Sequence, residues 1–223
     1  MDYYHVLNRG FEKRRIVDDD SDRLRFVHSL YVFNDRNYVD SNHRIRNFHK
    51  PASERDILVY IHAWCLMDNH YHLLLSPVDD DLKNLSMFMK KLNMGYAKYY
   101  NERHDRSGYL WQGRYKKVVI ENNAHFIYIP YYIHLNPLDK KYPEWRSGTI
   151  SKNRVRSALS DLHSYRWSSF QDYSNQKNFP SLLYNKVLSK IVPSQSKELE
   201  KTISQLVCDE SRSPMPSLSK TLE

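Results

Sequence analysis

The sequence predicts an α+β protein whose four strands form one antiparallel sheet with helices on one face. Three observations lead to this prediction. Elements identified by hydrophobic spacing follow the order β-α-β-β-α-β, two strands form an apolar hairpin, and the segments between the other strands repeat apolar residues at helical spacing. This order is the split βαβ arrangement of ferredoxin-like sheets. A third helix and a helical or irregular C-terminal extension follow.

The first strand and helix come from the N-terminal residues. Residues 3–9 predict a strand that ends before Gly10. Asp20 or Ser21 can cap the first helix, which continues with apolar residues at helical spacing. Residues 37–55 show no apolar period and are predicted as a loop insertion.

An apolar hairpin supplies the centre of the predicted sheet. Its strands are residues 56–67, which are β-branched and aromatic, and residues 70–77. The remaining elements are a long helix, a fourth strand and a third helix, at 81–103, 113–121 and 124–135.

The predicted organisation has three parts. Residues 1–137 form the domain with the sheet, residues 138–192 form a basic extension, and residues 193–223 form a short helix and a disordered tail. Within the last two parts, short helices are expected at 181–192 and 197–207.

Composition favours a polyanionic partner and excludes several classes of protein. Lys and Arg number 34 against 26 Asp and Glu, which gives a net charge of +8, and 18 tyrosines offer rings that can stack on bases. The longest apolar run, 57–67, is shorter than the roughly 20 residues of a bilayer span. Cys65 and Cys208 make no disulfide framework. We expect a cytoplasmic protein without a membrane partner, nucleoid-associated when bound to DNA.

His70 and His72 are the first candidate metal ligands. They flank Tyr71 on a predicted strand, so both imidazoles project from the same face. Two neutral imidazoles side by side can bind one divalent ion. Because three leucines follow immediately, the pair lies on a core strand, where aligned polar groups need partners or a role.

The third helix carries a stripe of polar aromatic residues. Tyr128, Tyr132 and Asn136 recur every four residues and share one face, while Tyr131 points about 100° away. A tyrosine hydroxyl can attack a phosphodiester, and an asparagine oxygen one turn away can be a third ligand to a cation. Packing of the helix on the sheet explains the same spacing, so both interpretations stay open. Pro130 is expected to kink this helix.

Residues 83–117 carry nine Lys or Arg and only two acids, interleaved with aromatic rings. A stripe of one charge sign with aromatics is typical of a single-stranded nucleic acid path, with phosphates on cations and bases on rings. The predicted DNA-binding residues are Lys90, Lys91, Lys98, Arg114, Lys116, Lys117, Trp111 and Tyr115.

Four motifs in order resemble a known family. They are YHVLNRG at 4–10, MDNHYHLLL at 67–75, YLWQGRYK at 109–116 and YIHLNP at 132–137. The second resembles the His-hydrophobe-His signature of HUH endonucleases. Together they resemble the REP-associated tyrosine transposase group of the single-tyrosine, insertion-sequence-200-like transposases.

The resemblance implies a ferredoxin-like fold that cleaves single-stranded DNA next to hairpins. By position, it implies that His70, His72 and Asn136 hold Mg²⁺ or Mn²⁺ and that Tyr132 is the nucleophile. The products would be a 5′-phosphotyrosine link and a free 3′-OH. Attack by another 3′-OH would rejoin strands without a nucleotide triphosphate.

Two other functions and one assembly stay open. A replication initiator or relaxase-like nickase would use the same chemistry at an origin. A non-catalytic hairpin- or single-strand-binding protein would keep the fold without the chemistry, although the presence of His70, His72 and Tyr132 argues against it. A homodimer is kept open as the assembly.

Overall fold

The computed structural model describes residues 2–37, 55–193 and 196–208. The loop insertion expected at 37–55 lies outside these residues, apart from Asn37 and Arg55. The part of the predicted 193–223 segment that follows Cys208 also lies outside them. The chain divides into two compact units. The first unit comprises Met1–Ile61 and Asp68–Val119, and the second comprises His62–Met67 and Ile120–Glu223.

Four strands form one sheet in the order β2-β3-β1-β4. Their bounds are Tyr4–Arg9 for β1, Val59–Leu66 for β2, His70–Pro77 for β3 and Lys116–Val119 for β4. Strand β1 pairs antiparallel with both β3 and β4. The predicted α+β class with a split βαβ order is confirmed. Strand β4 is shorter than the predicted 113–121, because only four of its residues pair with β1.

Two helices cover one face of the sheet in the first unit. Helix α1 spans Asp20–Val32 and helix α2 spans Leu82–Arg103, and each begins after an aspartate whose carboxylate accepts a backbone N–H. Tyr71 of β3 packs under them. Its ring centroid lies 5.1 Å from that of Phe26 in α1, and its hydroxyl donates to Asn93 Oδ1 in α2 over 2.8 Å.

The second unit is mainly helical. Its helices are α3 at Asn123–Leu135, α4 at Lys152–Ser164, α5 at Phe170–Tyr173 and α6 at Ser196–Cys208. Helix α6 matches the short helix predicted at 197–207, whereas α4 was not predicted. Helix α3 continues through Pro130 as one element.

The prediction of a short helix at 181–192 is wrong. The structure has only two 3-10 turns there, at Pro180–Leu182 and Leu188–Lys190. Leu188 and Val192 are fully buried in this segment.

The second unit includes the end of β2. Trp64 N donates to Ser169 Oγ and Ser169 N donates to Trp64 O, both over 2.9 Å, and Tyr165 Oη donates to Leu66 O over 2.6 Å. Residues 138–192, expected as a separate extension, therefore share a unit with α3. Among the described helices, none combines the length and the apolar character needed to cross a bilayer.

Gly95 offers a test of how α1 and α2 pack. In a helix interior, Gly→Ala normally stabilises by up to about 1 kcal/mol. A Cβ at Gly95, however, would overlap the ring of Phe33. We expect Gly95→Ala to lower the free energy of unfolding by about 1–3 kcal/mol, because overpacking outweighs helix propensity. Urea unfolding followed by circular dichroism measures this change.

Gly113→Ala is the control, since nothing lies within 4 Å of a Cβ there and its effect is expected to be small. The double variant Gly95→Ala/Phe33→Leu should recover part of the loss. A stabilising Gly95→Ala would contradict the described packing.

Candidate functional site

His70 and His72 lie side by side on β3, as the alternation of strand side chains predicts. Their ring centroids are 5.0 Å apart and the ring planes are nearly perpendicular, at 88°. His72 is buried and His70 is half-buried. Helices α1 and α2 contact the opposite face through Tyr71, so the two imidazoles share the other face of the sheet.

Hydrogen bonds at Nδ1 determine which nitrogen each imidazole can offer to a metal. His70 Nδ1 lies 2.6 Å from Asn69 Oδ1. Asn69 Nδ2 donates to Lys13 O, which fixes the orientation of the amide. Because an amide oxygen only accepts, His70 donates this bond from Nδ1, and Nε2 is then the nitrogen that the neutral imidazole would offer to a metal.

His72 is arranged in the same way by a third histidine. His72 Nδ1 lies 2.9 Å from His5 Nε2, and the two rings stack with centroids 5.1 Å apart. When His72 donates this bond, its Nε2 also keeps a lone pair. Metal-bound histidines typically donate their second ring N–H to such a partner, so this pair fits a divalent ion.

Sequence reasoning did not single out His5. The structure pairs His5 with Leu74 and Leu7 with His72, so His5 and His72 are diagonal neighbours on one face. Alternation along the first strand allows this placement, but choosing it requires the register between β1 and β3. That register is a tertiary property, and the local pattern of 3–9 does not contain it.

Tyr132 of α3 has a cation at its hydroxyl. Arg146 Nη1 donates to Tyr132 Oη over 3.3 Å, and the guanidinium carbon lies 5.3 Å from the centroid of the Tyr132 ring. Tyr131 is in a different environment. Burial, and then the charge of Glu198, raise the pKa of Tyr131. These contacts distinguish Tyr132 from its neighbour in a way that the spacing of the tyrosines did not.

Arg146 is itself held by a carboxylate. Arg146 Nε and Nη2 donate to the two oxygens of Asp139 over 2.9 and 2.6 Å. Trp145 Nε1 donates to the same carboxylate over 2.6 Å. Burial lowers the pKa of Arg146, but the hydrogen bond to Asp139 and the neighbouring groups raise it by more. The net shift of the pKa is upward, so the guanidinium stays charged. Sequence reasoning missed both Arg146 and Asp139.

Asn136 ends α3 one turn after Tyr132 and is fully buried. Its Nδ2 donates to Tyr132 O over 2.6 Å, which orients the amide. Within the described residues, Asn136 Oδ1 has no hydrogen-bond partner. Buried acceptors rarely go unpaired in native proteins, so this oxygen suits the predicted role as a ligand.

The predicted DNA-binding residues differ in how far their side chains are exposed to solvent. Trp111 is 9% exposed, its ring packs edge-on against Tyr71, and its Nε1 donates to Asn93 O, as in a core residue. Lys91 is half-buried and donates to two backbone carbonyls, and burial lowers its pKa. Tyr115 is half-buried. The exposed members are Lys90, Lys98, Arg114, Lys116 and Lys117.

The exposed lysines lie on different faces of the first unit. Lys116 pairs with Leu7, which also pairs with His72, so Lys116 is on the face of the histidines, two strands away at roughly 10 Å. Lys117 pairs with Val6 and lies over the Tyr4 ring on the other face. Lys90 and Lys98 belong to α2, which covers that other face.

A second group of metal-ligating residue types occurs in the first unit. Asp18, Asp22 and His104 bring their ligand atoms together. Arg103 already forms an ion pair with the buried Asp22 carboxylate, and His104 Nε2 lies 2.9 Å from its other oxygen. This ion-pair network joins α1 to the end of α2, so we assign it a structural role.

The family model described as "Transposase IS200 like" matches residues 3–136, more than half of the chain. A similar solved structure is described as "Structure of the REP associates tyrosine transposase bound to a REP hairpin". It is 15% identical, the match covers 80% of this chain and 82% of that chain, and the TM-score is 0.45. No curated protein matches the chain.

His5 provides a test of the metal half of the site. We expect His5→Phe to weaken Mn²⁺ binding about 10–100-fold, because it removes the hydrogen-bond partner of His72 Nδ1. His5→Gln should stay close to wild type, since its amide oxygen can accept the same bond. Calorimetric titration with Mn²⁺ measures both affinities. Equal losses in the two variants would mean that His5 acts only through packing.

Proposed function

This chain is a member of the IS200-like transposase family, and from that premise we propose that it is a metal-dependent, single-tyrosine transposase that cleaves and rejoins single-stranded DNA next to hairpins. The observation that carries the proposal is the arrangement of His70 and His72, whose rings lie side by side on one strand with centroids 5.0 Å apart and whose Nδ1 atoms each face a hydrogen-bond partner. The hairpin is proposed from the motif resemblance.

We propose His70, His72 and Asn136 as the residues that hold Mg²⁺ or Mn²⁺. Two imidazoles and an amide oxygen are a donor set that such ions accept. The buried, unpartnered Oδ1 of Asn136, in the part of the chain that is described, supports its inclusion. When bound, the ion would offset charge on the scissile phosphate and on the leaving 3′ oxygen.

Tyr132 is proposed as the nucleophile. Its hydroxyl oxygen attacks phosphorus, the P–O3′ bond breaks, the phenolic proton passes to solvent, and the 3′ oxygen takes up a proton. Rejoining reverses these steps, with an incoming 3′-OH as the nucleophile and Tyr132 as the leaving group. The phosphotyrosine ester conserves the bond energy, so no nucleotide triphosphate is required.

Of the two β4 lysines, Lys116 is the one proposed to position a phosphate beside the histidines, because it shares their face of the sheet. Lys90 and Lys98 would contact DNA that passes around the helix layer. Trp111 is better assigned to the core. For base stacking we propose Tyr109 instead, whose ring is 83% exposed after the turn at Gly108.

The nucleophile is tested with labelled hairpin oligonucleotides and Mn²⁺. Wild type should form a covalent protein–DNA adduct that EDTA prevents. Tyr132→Phe removes only the hydroxyl, so the adduct should vanish while DNA affinity stays within a few-fold.

Tyr131→Phe is the matched control and should form the adduct at close to the wild-type rate. Loss of the adduct in Tyr131→Phe but not in Tyr132→Phe would assign the chemistry to the other tyrosine. A wild type that binds hairpins without any adduct would support the non-catalytic alternative.

The DNA path is tested with two adjacent lysines on opposite faces of β4. Each phosphate contact to a single strand contributes about 0.7 to the slope of log affinity against log salt. We expect Lys116→Ala to reduce the slope by about that amount and Lys117→Ala to change it less. Fluorescence anisotropy of a labelled oligonucleotide over a salt series gives both slopes. The opposite ranking would place the strand on the helix-covered face.

A further inference from the structure

We infer that Arg146 is a catalytic residue that stabilises the negative charge on Tyr132 Oη when this oxygen attacks and when it leaves. The inference rests on the proposed function, because it takes Tyr132 as the nucleophile. It adds a residue from the segment after 137, which the motifs do not cover, and assigns that segment a part in the chemistry.

The direction of the hydrogen bond favours this role. A guanidinium only donates, so Tyr132 Oη accepts from Arg146 Nη1, and its own hydrogen points elsewhere. The proton that must leave is therefore not engaged by Arg146. The 3.3 Å bond is long for a neutral acceptor. As charge develops on the oxygen, the bond becomes charge-assisted and shorter, so it stabilises the ionised form more than the neutral one.

Asp139 makes the arrangement preorganised. Its two oxygens accept hydrogen bonds from Nε and Nη2 of Arg146. Because the guanidinium is planar, these two bonds also fix the direction of Nη1. Trp145 donates to the same carboxylate, and its ring lies 4.9 Å from the guanidinium carbon. Donors that are already oriented at a developing charge need no rearrangement during the reaction, which is the condition for a large effect on rate.

Arg146 acts in both chemical steps, on Tyr132 Oη as the attacking oxygen in cleavage and as the leaving oxygen in rejoining. In cleavage, Tyr132 O–H loses its proton to solvent, O–P forms, and P–O3′ breaks as the 3′ oxygen takes up a proton. In rejoining, the incoming 3′-OH loses its proton, O3′–P forms, and the tyrosine O–P bond breaks, which returns the electron pair to Oη before this oxygen takes up a proton. Because Arg146 stabilises the charged oxygen, its loss should slow both directions and leave their equilibrium unchanged.

The experiment compares Arg146→Met with Arg154→Met. Arg154 is a matched control, because it also forms an ion pair, with Glu144, and lies over an aromatic ring, that of Tyr142. At saturating DNA and Mn²⁺, we expect Arg146→Met to form and resolve the adduct about 10²–10³-fold more slowly, the usual effect of losing one such donor. DNA affinity should stay within about three-fold, and Arg154→Met should resemble wild type.

Chemical rescue separates catalysis from structure. With Arg146→Ala, guanidinium added below its denaturing range should restore adduct formation in a concentration-dependent way. Tetramethylammonium, which has no N–H donor, should not. If the Met and Ala variants fold poorly, Arg146→Lys keeps the charge and should give an intermediate rate.

Three results would overturn the inference: wild-type rates in Arg146→Met, equal losses in Arg154→Met, or no rescue by guanidinium. In each of these cases wild type still forms the adduct, so the proposed function stands. Absence of any Tyr132 adduct in wild type would instead remove the proposed function and this inference together.

Discussion

The antiparallel pairing of β1 with β3 is the constraint on which the metal half of the proposed site depends. Its register places Leu7 opposite His72, which brings His5 and His72 to one face and their ring nitrogens to 2.9 Å. A slip of one residue would turn His72 toward the helix-covered face. Tyr71 prevents such a slip, because its buried ring and its bond to Asn93 fix the opposite face.

In the second unit, one short stretch combines the tyrosine with its electrostatic environment. Asn136 follows Tyr132 by one helical turn, and Asp139 follows three residues later in a 3-10 helix. The Asp139 carboxylate holds Arg146, which reaches back to the Tyr132 hydroxyl. Arg146 and Asp139 are half-buried, and their paired hydrogen bonds fix the position of the guanidinium relative to the tyrosine.

Elements with strong local periodicity were predictable from the sequence. The strand at His70–Pro77 and the helix at Leu82–Arg103 agree with the predicted 70–77 and 81–103, because each has one continuous apolar pattern. Helix α4 was missed because its only fully buried residues are Ala158 and Leu162. The prediction at 181–192 was wrong in the opposite direction, since the helix expected there is replaced by two 3-10 turns.

The candidate site was predictable only as far as its residues lie in one local pattern. His70 and His72 share a strand, and Tyr132 and Asn136 share a helix, so alternation and turn spacing were enough to group them as candidates, whereas their proposed roles came from the motif resemblance. His5 and Arg146 depend on strand register and on loop packing, respectively, which are tertiary properties. Aromatic composition likewise could not separate Trp111, which fills the core, from Tyr109, which is exposed, because both belong to the same basic and aromatic run.

Asn136 connects the stability of the second unit to the chemistry proposed for it. A buried acceptor without a hydrogen bond costs about 1–3 kcal/mol, because it has lost water and gained no partner. Asn136 Oδ1 is such an acceptor within the described residues, while its Nδ2 is fixed on Tyr132 O. A cation on that oxygen would remove the cost, so ion binding and folding of the unit should reinforce each other. Because the amide also bonds the backbone of Tyr132, an ion held there would reduce the freedom of the residue proposed to attack the DNA.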